Sequence, residues 1–420
     1  RAPLRSPVFP PDAPERVLSA HLLSLGIEVE RRTELVDFVQ RKNGVEVRLK
    51  RPDGSEERCL ARYLAGCDGA HSAVRHGMAA DFPGGTYSEL FYVADLDATG
   101  PAAHDEIHLD LDSADFLAVF PLQGDGRIRI VGSASSPTGV PRESVEFSEV
   151  APRVVKNLRY SIAKVNLSSS YRVHHRVASR FRSGRAFLLG DAAHIHSPAG
   201  GQGMNTGIGD SINLAWKLAA VLNGGASESL LDSYEPERIA FARRLVSTTD
   251  RIFTFVTRQG IIARFMRMHV VPLLAPLVAS LSSVRRFLFH TVSQIGIRYR
   301  TSDLSAGSAG RIHGGDRLPW VELSSGTDNF EPLTTMRWQA HIYGSASESL
   351  VRCCSELSLP LHVFEWNERM TAAGLRRDVL YVVRPDAYLA LIDASADSRR
   401  LTEYFRRRGL TPASVSRSQA

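Results

Sequence analysis

The sequence predicts an α/β protein in three parts: a layered domain, an antiparallel sheet inserted between its two halves, and a smaller α/β domain after a linker. Three observations carry this. The stretch Phe187–Asn205, FLLGDAAHIHSPAGGQGMN, ends a short apolar run in Gly-Asp and passes through glycines into a helical pattern. From Asp81 to about Tyr171 the chain reads as strand after strand, broken by Gly, Pro and Asp. Arg298–Trp320 is a Gly/Ser-rich linker, and a shorter strand–helix pattern follows it.

The elements follow in order. PERVLSAHLLSLG (Pro14–Gly26) spaces Val17, Leu18, Leu22 and Leu25 helically, with Pro near its start and Gly at its end. The next segment alternates polar and apolar residues around Asn43-Gly44 and Asp53-Gly54, which are hairpin signals. ARYLAGCDGAHSAVR is a strand, a Gly/Asp turn and a helix start. ELFYVADLD, DEIHLDLD, DFLAVFPLQ and RIRIVGSAS are the strands of the inserted sheet, entered through the hinge FPGGTYS. GRAFLLGD contains a wholly apolar strand of the kind buried in a parallel sheet. In the helix after it, Ile208, Ile212, Ala215, Ala219 and Leu222 form a stripe expected to face a core. Helical segments run to about Ile297, and LHVFEW, DVLYVVRP and AYLALID are the strands of the last domain. The expected boundaries are 1–80 and 174–300 for the layered domain, 81–173 for the inserted sheet and 301–420 for the C-terminal domain. The sequence shows no internal repeat.

Bulk properties narrow the function. A chain of 420 residues exceeds what one core serves. Its net charge of +6 is spread along the chain, and no Lys/Arg block is interleaved with aromatics in a nucleic-acid-binding pattern. EYFRRRGL reads as a solvated helix end, where cations suit the carbonyl dipoles. Cys59, Cys67, Cys353 and Cys354 make neither CxxC nor zinc spacing, so a reduced cytoplasmic setting is expected. The longest apolar run, Met268–Val284, is interrupted by His269, Pro272 and Pro276 and reads as a buried or interface helix rather than a membrane span. RAPLRSPVFPPDAPERVL has no apolar segment of the signal-peptide kind.

The chemistry concentrates in GDAAHIHSPAGGQGMNTGIGDSINLAWKLA. Asp191 stands where a parallel strand ends, the edge at which open α/β sheets bind ligands. Its carboxylate suits the hydroxyls of a sugar-like chain. Gly200, Gly201 and Gly203 let backbone N–H groups approach a ligand, and those groups open a helix, which favours negative charge. Together they describe a polyol beside an electron-rich ring; a glycine-rich strand–helix turn with no ligand is the alternative. His194 and His196 flank Asp191 like a metal pair, but no further ligand cluster accompanies them, so packing or hydrogen bonding is expected. His174-His175 read as surface or sheet-edge groups preceding a strand, Trp216 as a core anchor, Lys217 as solvated, and Cys353-Cys354 as buried thiols.

At these residues the pattern resembles the second FAD-binding motif of FAD-dependent aromatic hydroxylases, the para-hydroxybenzoate hydroxylase-like flavoprotein monooxygenases. CDGAHSAVR (Cys67–Arg75) resembles their Asp-Gly motif. GDRLPW (Gly315–Trp320) and YVVRPDAYLALI (Tyr381–Ile392) resemble the thioredoxin-like C-terminal extension of phenol hydroxylases, polyketide hydroxylases and rifampicin monooxygenases. The resemblance implies a Rossmann-like FAD-binding domain with an inserted antiparallel substrate sheet and a thioredoxin-like C-terminal domain. It assigns Gly190 and Asp191 to the ribityl chain, and the backbone of Gly201, Gln202, Gly203, Met204 and Asn205 to the pyrimidine edge of the isoalloxazine. Pro198 would lie near the reactive ring carbon, as the catalytic position. Asp68 would sit near the pyrophosphate and the NAD(P)H approach, although a plain Asp-Gly turn fits it too. The implied reaction is hydroxylation of a phenolic or polyketide aromatic by O2 and NAD(P)H through a flavin C4a-hydroperoxide. Without CxxC the last domain would carry no dithiol chemistry; a structural or oligomerising role is expected, with a homodimer as one form of it.

The chain departs from that pattern in one respect. Relatives open with strand–GxGxxG–helix, and no GxGxxG occurs here; positions 201, 203 and 206 come nearest, but 206 is Thr. The resemblance therefore places roughly a hundred residues upstream of Glu15. The opening Arg1 in place of Met points to a fragment of a longer enzyme. A non-catalytic remnant that binds an aromatic ligand or a partner is the alternative, and a flavin-dependent reductase or epoxidase of isoprenoids is a third reading.

Overall fold

A computed structural model describes residues 12–412, except 101–107, 111–116, 123–125, 135–143, 159, 198–201, 258–265, 271–272, 275–276, 278–279 and 325. Helix α1 (Asp12–Ser24) leads to an antiparallel meander of β1 (Glu34–Arg41), β2 (Gly44–Lys50) and β3 (Glu56–Ala61). The second turn falls at Asp53-Gly54, where Gly54 takes φ +83°, whereas the first centres on Lys42-Asn43, with Gly44 already paired to Arg41 in the strand. Strand β4 (Leu64–Gly66) then runs into helix α2 (Ala73–Gly77).

The inserted sheet consists of β5 (Gly84–Thr99), β6 (His108–Asp110), β7 (Leu117–Pro121), β8 (Arg127–Ala134), β9 (Ser161–Val177) and β12 (His194–Ile195), in the order β12-β9-β5-β8-β7-β6. A strand's period of two divides β5 cleanly. Leu90, Tyr92, Ala94, Leu96 and Ala98 are buried with Phe147 and Val145 of helix α3 (Phe147–Leu158) and its approach. Phe91, Val93 and Asp95 therefore line the opposite face. His174 and His175 lie within β9 rather than before a strand, because β9 extends to Val177.

The chain returns to the layered domain through β10 (Arg182–Ser183) and β11 (Ala186–Leu188), the latter parallel to β4 and wholly buried. Helices α4 (Gly203–Leu222) and α5 (Tyr234–Thr257) follow. The expected core stripe of α4 is corrected by the structure. Ile208 and Ile212 are exposed, and the buried face carries Thr206, Asp210, Asn213, Leu214, Lys217 and Val221. In the apolar run Met268–Val284, the described Leu273, Leu274, Leu277 and Leu281 are exposed, which removes the buried half of that expectation. Among the described residues no helix is long and apolar enough to cross a membrane.

Two short hairpins, β13–β14 (Ser308–Ala309, Ile312–His313) and β15–β16 (Glu322–Ser324, Thr327–Asp328), precede the last sheet. That sheet comprises β17 (Gln339–Tyr343), β18 (Leu361–Phe364), β19 (Leu380–Val383) and β20 (Leu389–Asp393), ordered β18-β17-β19-β20, with β17 and β18 parallel. Cys353 and Cys354 are buried in the helix Glu348–Glu356, as expected. The C-terminal domain does not stand apart. Trp216 of α4 packs edge-on against Trp338 at 5.6 Å, and Trp338 against Phe405 at 5.4 Å, within one apolar cluster that includes β11, β17 and β19.

His341 on β17 is fully buried, with Nε2 3.1 Å from Gln339 Oε1 and Nδ1 3.4 Å from the Tyr343 hydroxyl. Phe364 and His362 of β18 close its other side, at 5.1 and 5.4 Å. Burial, and then His362, lower its pKa from 6.5 to about 3. The folded state therefore resists a proton that the unfolded chain accepts. His341's contribution to stability is fully present above pH 6.5 and falls as pH drops toward 3, by up to ~1.4 kcal/mol per unit. Urea midpoints measured from pH 7 to 4 are expected to fall less steeply in His341→Leu; an unchanged slope would assign the acid sensitivity elsewhere.

Candidate active site

The parallel pairing of β4 and β11 decides which turns meet. Gly66 stands opposite Leu188, and the Leu189 N–H donates to Gly66 O at 3.0 Å, so the turns after both strands emerge side by side. Asp68 belongs to the first turn and Gly190-Asp191 to the second. The Asp68 carboxylate accepts the Val74 N–H at 3.1 Å, Gly69 has φ +75°, and Ser72 caps α2 by accepting from the Arg75 N–H. The Asp-Gly turn is thus real, and Asp68 remains exposed at its rim.

Arg75 was not singled out in the sequence, yet it ties the two turns together. Only 4% exposed, it donates to Ala192 O at 3.1 Å and to Ala70 O at 2.8 Å, and its guanidinium lies 4.0 Å from the Phe82 ring centroid. Burial pulls its pKa down, with Asp68 opposing.

The second turn is set from behind. Gly190 has φ +56°, a left-handed geometry that disfavours a Cβ. Its N–H donates to Asp210 Oδ2 at 2.9 Å, and His194 Nε2 donates to the same oxygen at 2.8 Å. Arg238 Nε donates to Asp210 Oδ1 at 2.6 Å. Burial alone would raise the Asp210 carboxyl, but Arg238 and His194 hold it below the usual range. His194 is therefore a hydrogen-bonding residue, as expected, and no group of metal-ligating side chains exists among the described residues. Asp210 and Arg238 escaped the sequence reading. The available signal was a polar stripe at helical spacing, Thr206-Asp210-Asn213-Lys217, beneath the apolar one.

Asp191 follows Gly190 in a 3₁₀ turn with its carboxylate exposed. Close by, α4 begins at Gln202 with no side-chain cap, and Met204 and Asn205 are exposed in its first turn. His196 Nε2 is buried without a partner among the described residues and lies 3.9 Å from where a Gly203 Cβ would sit. Pro198 and Gly201 lie outside the described residues. The structure thus brings Asp68, Gly190, Asp191, Gln202, Gly203, Met204 and Asn205 to one end of the β4–β11 pair. An exposed carboxylate, an uncapped 20-residue helix start and an open imidazole nitrogen fit a polyol chain joined to an electron-rich ring.

The inserted sheet supplies a further wall. Phe91 and Tyr171 lie ring to ring at 6.1 Å, and the face that carries Phe91 also bears a two-pronged ion pair, Arg129 to Asp95 at 2.7 and 2.8 Å. At its edge the Tyr87 hydroxyl donates to Asp250 of α5 at 2.7 Å, and the His175 ring packs tilted against Tyr87 at 4.8 Å. Burial, then Asp250, raise the Tyr87 hydroxyl well above its ordinary value, and Ser197 contacts the same hydroxyl.

Lys217 corrects the sequence reading most sharply. It is fully buried, not solvated, and donates to Asn213 Oδ1 and Glu237 Oε2, both at 2.8 Å. A lysine between apolar helix neighbours looks solvated in one dimension; here a carboxylate from α5 meets it. Trp216 is the core anchor expected.

A family profile described as "FAD binding domain" matches residues 2–249. The chain is 29% identical over 416 residues to the 6-methylpretetramide 4-monooxygenase of Streptomyces rimosus, covering 92% of this chain and 73% of that one. It is 30% identical over 400 residues to an uncharacterized aromatic compound monooxygenase of Bacillus subtilis, covering 93% and 76%. Against the solved anhydrotetracycline hydroxylase of Streptomyces rimosus the TM-score is 0.75 at 26% identity, covering 96% of this chain and 80% of that structure.

Proposed function

We propose, for a chain that belongs to the FAD binding domain family and is a flavin-dependent aromatic monooxygenase, that it hydroxylates a phenolic or polyketide aromatic at the expense of O2 and NAD(P)H. The observation that carries this reading is the convergence of the Asp68 turn, the Gly190-Asp191 turn and the uncapped start of α4 at one sheet edge. Bound FAD would supply the transfer of electrons from NAD(P)H and the activation of O2.

This chain's own residues would then bind, orient and exclude water. Asp191 would accept hydrogen bonds from the ribityl hydroxyls. The first-turn N–H groups of α4, from Gly203 to Asn205, would stabilise negative charge on the pyrimidine edge. Asp68 would stand at the pyrophosphate side, and Pro198 beside the substrate. Tyr171, exposed and backed by the buried Phe91, would offer a planar substrate a stacking surface, and the Arg129–Asp95 pair would offer its hydroxyls a polar partner. The names of the relatives, a 6-methylpretetramide monooxygenase and an anhydrotetracycline hydroxylase, support a substrate of that aromatic class.

The test is FAD titration of the purified protein by fluorescence quenching, followed by NADH and NADPH consumption with and without a panel of phenols. Saturable FAD binding and substrate-stimulated consumption are expected. A protein that leaves FAD fluorescence unchanged would overturn the reading.

A further inference from the structure

Behind the proposed flavin cradle lies a group of charges that the proposed reaction does not use. Three cations, Lys217, Arg238 and Arg384, and three carboxylates, Asp210, Glu237 and Asp386, are each at most 9% exposed. They come from α4, α5 and the C-terminal domain, and their bonds form two linked clusters. Arg384 donates two prongs to Glu237, at 2.8 and 2.9 Å, and two to Asp386, at 2.9 and 2.6 Å. Asp386 accepts the Trp216 indole N–H at 3.0 Å, and Glu237 also accepts from Asn213, Lys217 and Ser302. The neighbouring residue, Arg238, binds Asp210 and donates to Tyr299 at 2.8 Å and to Thr206 O at 3.2 Å. Tyr299 in turn packs tilted against Tyr388 of the C-terminal domain at 4.3 Å. The far end of this chain is the Gly190 N–H.

Such a cluster is a poor way to gain stability. Desolvating six charges costs several kcal/mol each, and well-packed apolar side chains often do as well or better. Its geometry does one thing that apolar packing does not. It holds α4 at Thr206 and Asp210 through Arg238 of α5, and at Asn213 and Trp216 through directional bonds to Asp386 of the C-terminal domain.

We propose that the C-terminal domain sets the position of the flavin cradle, with Arg384 and Asp386 as positioning residues that act through Glu237, Arg238 and Asp210 on the Gly190-Asp191 turn. The consequence for FAD rests on the function proposed above, whereas the mechanical coupling does not.

The test compares Arg384→Met and the milder Arg384→Lys, which keeps charge but loses the fork, with Leu401→Ala. Leu401 is fully buried in the C-terminal helix Ser398–Arg407 and outside the cluster. Hydrogen exchange of the FAD-free proteins is followed over residues 186–195 and 203–213. Exchange there is expected to rise about tenfold in Arg384→Met and about threefold in Arg384→Lys, and to stay at the parent rate in Leu401→Ala. FAD dissociation constants should follow the same order, and the visible circular dichroism of bound flavin should change only in the Arg384 variants. Equal exchange in Arg384→Lys and Leu401→Ala at matched unfolding midpoints would overturn the proposal. If the parent binds no FAD while the exchange pattern holds, the functional reading fails and the coupling stands.

Discussion

An Asp191→Ala protein is expected to fold as the parent does and to bind FAD at least tenfold more weakly. The carboxylate is exposed and makes no hydrogen bond among the described residues, so the fold loses little with it. The turn around it is held by other groups: the Gly190 N–H on Asp210, and Arg75 on Ala192 O. A charged acceptor serving ligand hydroxyls is worth about 1.5–3 kcal/mol, which corresponds to roughly ten- to hundredfold in affinity. Far-UV circular dichroism should match the parent, while the dissociation constant from fluorescence quenching rises. Asp191→Asn, which keeps one acceptor, should fall between the two. A dissociation constant unchanged in the alanine variant would remove Asp191 from the cofactor site.

Glu237→Ala should destabilise the protein by about 3–5 kcal/mol. Glu237 accepts from Arg384, Lys217, Asn213 and Ser302 while almost fully buried. Burial would raise its pKa, but Arg384 and Lys217 hold it far below the ordinary value, so it is charged at neutral pH. Removing it leaves two cations desolvated, with Asp386 hydrogen-bonded to Arg384 and acting on Lys217 only through space. Urea unfolding should show the loss as a lower midpoint. Adding Arg384→Met to Glu237→Ala should recover part of it, because the stranded charge goes too. A single variant within 1 kcal/mol of the parent would mean that water or rearrangement satisfies both cations.

How much of this could be read from the chain follows the range of the forces involved. Asp53-Gly54 and the alternation along β5 encode their turn and faces through backbone preference and a period of two, which act within a few residues. The apolar strand Ala186–Leu188, closed by Gly190-Asp191, announces a sheet edge for the same reason, and a strand buried on both faces must be apolar throughout. The mixed fold, read from these local signatures, is borne out, and so are the family and the FAD-binding character, which the resemblance of the Gly-Asp segment implied.

The interior of α4 is where local reasoning stopped. Ile208 and Ile212 are apolar yet exposed, while Lys217, a residue that ordinarily seeks water, is sealed off. Which face of a helix is buried depends on what packs against it, and here that is α5 and the C-terminal domain. Arg384 and Glu237 are 147 residues apart in sequence and 2.8 Å apart in space. Sequence by itself determined the sheet-rich insert, the turn at Asp53-Gly54 and the place of Asp191 after a buried strand, but neither helix α3 within that insert nor the long strand β9. Tertiary structure alone decided that three cations and three carboxylates would meet behind it, because a buried charge is tolerable only where a partner from elsewhere in the chain arrives to neutralise it.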